Sequence, residues 1–155
     1  MKLISVVLTL IILGWSVNAI AIPVNSPEYW QLLKELAKNR QLWRLQNINN
    51  YQFTYQQQCF CVAPGNIPLK VAVKNDKITQ VVDLKTNQTI PNLGFPKTID
   101  QLFQILEKAI QSKADEISVT YDSTLGYPTK IAIDYQKILA DEETNYLAKD
   151  LIKIK

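Results

Sequence analysis

The stretch Tyr51-Gln52-Phe53-Thr54-Tyr55-Gln56-Gln57-Gln58-Cys59-Phe60-Cys61 alternates strictly, with three aromatics and both cysteines of the chain on odd positions. Successive side chains of a β-strand point to opposite faces, so this period of two predicts a strand over 51–61 with its odd residues turned to a core. The even positions carry Gln52, Thr54, Gln56, Gln58 and Phe60, mostly groups content to meet water. A sheet with one buried and one wet face is the expectation, and the rest of the chain has to supply the cover for the buried one.

The first helix is expected from Ser26, which can cap it, with Pro27 at its first position and Glu28 in its first turn. Tyr29, Leu32, Leu33, Leu36 and Trp43 fall on one helical stripe that runs to about Leu45, while Leu42 and Leu45 fall off it. Beyond the opening strand, Pro64, Gly65 and Pro68 force a loop. Leu69, Val71 and Val73 then alternate with Lys70, Ala72 and Lys74, Asn75-Asp76 fills a two-residue hairpin turn, and 78–83 reads as the returning strand. Residues 84–97 hold Pro91, Gly94 and Pro96 and mark a surface connection long enough to carry function.

Thr98 begins the clearest element. Gln101 completes a capping box, and Ile99, Leu102, Phe103, Leu106, Ala109 and Ile110 recur at helical spacing. Gln104, Glu107, Lys108 and Gln111 are expected on its solvated side. Ile117, Val119 and Tyr121 alternate before the loop 122–128, Ile131, Ile133 and Tyr135 alternate after it, and a last strand is expected over about 145–154. The order helix, three strands, helix, three strands predicts an α+β fold: an antiparallel sheet of about six strands with two helices on one face.

Residues 1–21 read as a secretory signal peptide, with Lys2 as its positive start, an apolar run over 3–14 and Ala19-Ile20-Ala21 as the cleavage pattern. That leaves 22–155 as a single α+β domain, exported to the periplasm or the medium and without a stable membrane span once the signal is cut; an uncleaved anchor is the alternative. The chain carries 17 basic and 14 acidic residues, and the basic ones are scattered, which argues against nucleic acid as the main partner.

On Trp43, Asn50 to Tyr55, Cys59-Phe60-Cys61, Thr98 to Phe103, Tyr121-Asp122, Gly126-Tyr127-Pro128 and Ile133-Asp134, the chain resembles the domain of unknown function 6174 family, a group of uncharacterised exported bacterial proteins. The resemblance spans about 43–151. Many members of that group look lipid-anchored, and this sequence departs from them in lacking the anchoring cysteine. The resemblance implies export and no particular activity.

Chemistry has few places to reside. The chain has no histidine, so a histidine-based triad is excluded, and its four glycines form no phosphate-cradling loop. Cys59 and Cys61 are open to three readings: a structural disulfide, two thiols, or a redox or soft-metal pair. A bond between them needs a bend at Phe60, because Cα atoms two apart in a regular strand lie about 6.6 Å from each other. Asp122, Gly126, Tyr127 and Pro128 form a candidate binding loop, although turn formation is the stronger reading of these residue types. Asp134, Asp141, Glu142 and Glu143 lack the regular ligand spacing of a calcium loop, and no cofactor is expected. The reading is an exported, non-enzymatic binding module for another envelope or extracellular protein, acting through its sheet face or the 84–97 loop. The alternative is a thiol-disulfide or metal-handling protein using Cys59 and Cys61.

Overall fold

Helix α2 (Ile99–Gln111) forms where the sequence pattern is cleanest. The Thr98 hydroxyl accepts the Gln101 N–H at 3.2 Å and the Gln101 side chain accepts the Thr98 N–H at 2.9 Å, which satisfies two of the amides a helix start leaves open. All six residues of its apolar stripe are buried. The computed structural model describes residues 26–61, 66–91 and 94–155. The expected signal segment and the Pro64-Gly65 part of the expected loop lie outside the described residues.

Helix α1 (Pro27–Leu45) is capped by Ser26, whose hydroxyl accepts the Tyr29 N–H at 3.1 Å. Only Leu36, Asn39 and Trp43 of this helix are buried, and Leu45 is exposed. Asn39 is a polar residue on the inner face; its amide donates to the Glu35 carbonyl at 2.9 Å, so the buried group is not left unpaired. Arg40 ties the helices together. Its guanidinium donates to the Phe103 carbonyl at 3.0 Å and to Glu107 at 3.1 Å and lies 5.6 Å from the Phe103 ring centroid. Glu107, expected to be merely solvated, is therefore half of an interhelical ion pair.

The strands are β1 (Tyr51–Gln58), β2 (Leu69–Lys74), β3 (Lys77–Asp83), β4 (Glu116–Tyr121), β5 (Pro128–Asp134) and β6 (Thr144–Lys153), in one antiparallel sheet of order β3-β2-β1-β6-β5-β4. With its two helices the fold is α+β, in the order read from the sequence. Asn75 and Asp76 both take positive φ, as a tight hairpin turn between right-twisted strands demands. The central pair, β1 with β6, joins the first strand to the last.

Tyr51, Phe53 and Tyr55 are fully buried beneath the helices. With Trp43 they form a run of ring contacts whose centroids lie 5.6, 5.7 and 6.4 Å apart. Both tyrosine hydroxyls are used. The Tyr51 oxygen accepts the Ile99 N–H at 3.0 Å, supplying another of the open amides of α2, and Tyr55 donates to the Phe95 carbonyl at 3.0 Å. Burial pushes both phenols well above their ordinary range.

The strand departs from its expected length, since β1 ends at Gln58 rather than at Cys61, and Cys59 and Cys61 are half-buried instead of lying in the core. The reason is loss of cover. Pairing with β2 ends at Tyr55↔Leu69, and β6 alone accompanies β1 on to Gln58↔Asn145. Strands β4 and β5 also depart from the expected burial. Ile117, Val119 and Tyr121 are only half-buried because β4 is an edge strand, and Tyr135 stands 40% exposed because β5 stops at Asp134.

Candidate functional site

Where β1 runs out of neighbours the chain bends, and the Cα atoms of Cys59 and Cys61 approach to 5.2 Å with their sulfurs bonded. That is shorter than the roughly 6.6 Å of an extended strand, so the bend expected at Phe60 is present. Phe60, between the bonded cysteines, is 87% exposed. A groove of about 280 Å³ beside it is lined by Cys59, Phe60, Cys61 and Asn66, none of them a charged residue. Bonded sulfurs offer neither a thiolate nor a soft ligand, and among the described residues no cluster of three or more potential metal ligands occurs.

The antiparallel register brings other exposed apolar groups to this end of the sheet. Residues 135–143 connect β5 to β6 here, with Ile138 at 90% exposure and Leu139 also open, and Leu84 leaves β3 at the same end. Lys137 pins the connection: its N–H donates to Asp115 at 3.0 Å, and its ammonium meets Glu116 at 2.8 Å, the hydrogen bond that raises its pKa. Asp83 accepts N–H bonds from Lys85 and Thr86, and the Lys85 bond is the first cause of its lowered pKa. The end carries more acid than base, with Asp83, Asp115, Glu116, Asp134, Asp141, Glu142 and Glu143 against Lys85, Lys113 and Lys137.

The 122–128 loop lies at the opposite end, so the two sets of sequence-picked residues do not form one site. Asp122 accepts the Thr124 and Leu125 N–H groups at 2.9 and 2.7 Å, a side-chain turn that shapes the loop. Gly126, Tyr127 and Pro128 are buried. Gly126 sits at φ +81°, and a Cβ there would come within 2.6 Å of the Asn39 carbonyl, so the loop packs against α1 as closely as backbone permits. The Tyr127 ring meets Trp43 at 6.2 Å, and burial raises its pKa.

At this second end the fold also builds a cleft of about 300 Å³ lined by Trp43, Arg44, Asn47, Asn49, Asp76 and Asp100 among others. Trp43 donates its indole N–H to Asp100 at 3.4 Å and is itself almost fully buried, so the cleft presents charged and amide groups rather than an aromatic wall. Sequence reading missed this cleft because it unites a helix end, a hairpin turn and a helix start. The only local trace was the density of asparagine in 47–50 and at Asn75, with Asn47 and Asn75 at positive φ.

No helix among the described residues is long and apolar enough to cross a membrane. No curated protein and no solved structure matches the chain. A model described as a family of unknown function (DUF6174) matches residues 35–153, from the middle of α1 to the end of β6, and the chain belongs to that family.

Proposed function

We propose that this is an exported, non-enzymatic binding module that docks another envelope or extracellular protein at the end of its sheet where Phe60 projects. The observation that carries the reading is the exposure of Phe60 within a three-residue disulfide ring. An aromatic left in water forgoes the stabilisation of burial, and a covalent ring that holds it there has already removed much of the entropy its ordering would cost a complex. Aromatics presented in this way are the usual anchors of protein interfaces. Ile138, Leu139 and Leu84 are exposed at the same end of the sheet, and the carboxylates of that end suit a partner whose apolar pocket is edged by lysine or arginine. Export is supported by the signal-like first 21 residues and by the bonded cysteine pair, since such bonds persist in oxidising compartments.

The test is affinity capture from the envelope and secreted fractions of the producing cell, using wild type and Phe60→Ala at graded salt, followed by titration of the purified partner. The expected outcome is a partner bound by wild type, weakened by salt, and bound roughly 30-fold or more weakly by the variant, the loss typical of an interface anchor. Equal affinity for both proteins, or no capture at any salt, overturns the reading.

A further inference from the structure

The two edges of the sheet are finished differently. Along β3, residues 88–90 fold back to cover the edge: Thr89 bridges Val82, the Ile90 N–H donates to Val81 at 2.9 Å, and the Asp83 N–H donates to Gln88 at 3.0 Å. Among the described residues β4 pairs with β5 and with no other strand. Exposed edges in natural sheets are guarded by lysine, proline, inward charges or an overlying loop. The sequence of β4, Glu116-Ile-Ser-Val-Thr-Tyr121, has no lysine and no proline, and its one charge, Glu116, is already paired with Lys137 at 2.8 Å. It is rich in the β-branched and aromatic residues that pair best, and Ile117, Val119 and Tyr121 on its helix-facing side are left half-buried.

We infer that a second copy of this chain pairs antiparallel along β4, joining two six-stranded sheets about a two-fold axis at Ser118. The choice of occupant follows from register. Directly opposed residues of an antiparallel pair share a face, so a symmetric pairing must set one residue against its own copy. With the axis at Ser118, Ile117 opposes Val119 of the other copy on the apolar side, Glu116 opposes Thr120, and no like charges meet. Moving the axis to Val119 sets Glu116 against Asp122, a repulsive pair, and moving it to Ile117 aligns only residues 116–118 of each strand. The strand is complementary to itself in one register.

Single-cysteine variants read that register directly, because the described cysteines are already bonded to each other. Ser118 and Thr120 are both exposed, so neither substitution disturbs the core. Under mild oxidation Ser118→Cys is expected to give a covalent dimer, since opposed Cβ atoms approach to about 4.5 Å and a small shift of the strands brings them within disulfide reach, whereas Thr120→Cys faces Glu116 and stays single. Sedimentation of the wild type at rising concentration is expected to approach twice the mass of one copy. Ser118→Lys, which sets two ammonium groups against each other at the axis, is expected to keep the wild-type circular dichroism and remain at one copy. A wild type of one-copy mass at every concentration overturns the inference, including the case in which the edge instead captures an extended peptide of another protein. Cross-linking of Thr120→Cys as fast as Ser118→Cys overturns the register.

Discussion

The two ends of β1 carry the same alternating pattern and have opposite fates. From Tyr51 to Tyr55 every odd residue is fully buried, the rings touch, and both hydroxyls have backbone partners. From Gln57 to Cys61 the odd residues are half-buried, Phe60 stands in water, and a covalent bond replaces packing. Alternation fixes which way side chains point; burial needs something to point at. The inner end has β2 on one side, β6 on the other and α2 above, while the outer end keeps β6 alone.

The contrast breaks most completely in alkali. Burial raises the pKa of Tyr51, Tyr55 and Tyr121, so the folded chain holds these phenols neutral to higher pH than the unfolded chain, whose tyrosines titrate near pH ~10. Above that value the unfolded state binds fewer protons than the folded one, and stability falls as pH rises; below it the phenols leave stability unchanged. Tyrosinate absorbance of the buried class is expected to appear together with loss of the far-ultraviolet circular dichroism, in one transition. Stepwise ionisation with the dichroism intact would mean that the inner end admits water.

Two phenylalanines sharpen the comparison at fixed chemistry. Phe53→Ala removes a fully buried ring from the centre of the aromatic run and is expected to cost about 3–5 kcal/mol in urea denaturation. Phe60→Ala, at the exposed tip of the same chain segment, is expected to stay within about 0.5 kcal/mol of wild type. Comparable losses at both positions would remove the distinction between core and prong. Tyr51→Phe comes between them. It keeps the ring but leaves the buried Ile99 N–H without its acceptor, for an expected cost of about 1–3 kcal/mol.

How much of this was legible follows from how far each signal reaches along the chain. The capping box of Thr98 and Gln101, the stripe of α2 and the Asn75-Asp76 turn are local, and each is found where the pattern placed it. The pairing of β1 with β6 is not local, so nothing in the 51–61 pattern could say that cover stops at Tyr55. For the same reason Glu107 looked solvated: its partner Arg40 is brought to it by the packing of two helices distant in sequence. Gly126, Tyr127 and Pro128 had the composition of a surface loop, and the close approach of α1 that buries them has no signature in the loop itself. The bend at the cysteine pair was legible because bond geometry within three residues demands it.

Covalent closure and packing hold the two ends of one chain segment in different ways. In the loop-entropy model a ring closed over residues 59–61 restricts the unfolded chain by only about 1.6 kcal/mol, roughly half the effect of a 15-residue ring. Replacing both cysteines, Cys59→Ser with Cys61→Ser, is therefore expected to cost no more than that in urea denaturation and to leave the alkaline transition of the inner tyrosines in place. A loss as large as that of Phe53→Ala would show that the ring supports the core and that the two ends fold as one unit. A small loss in stability combined with a large loss in partner affinity would separate the roles, because a released Phe60 must then be ordered again by whatever it binds.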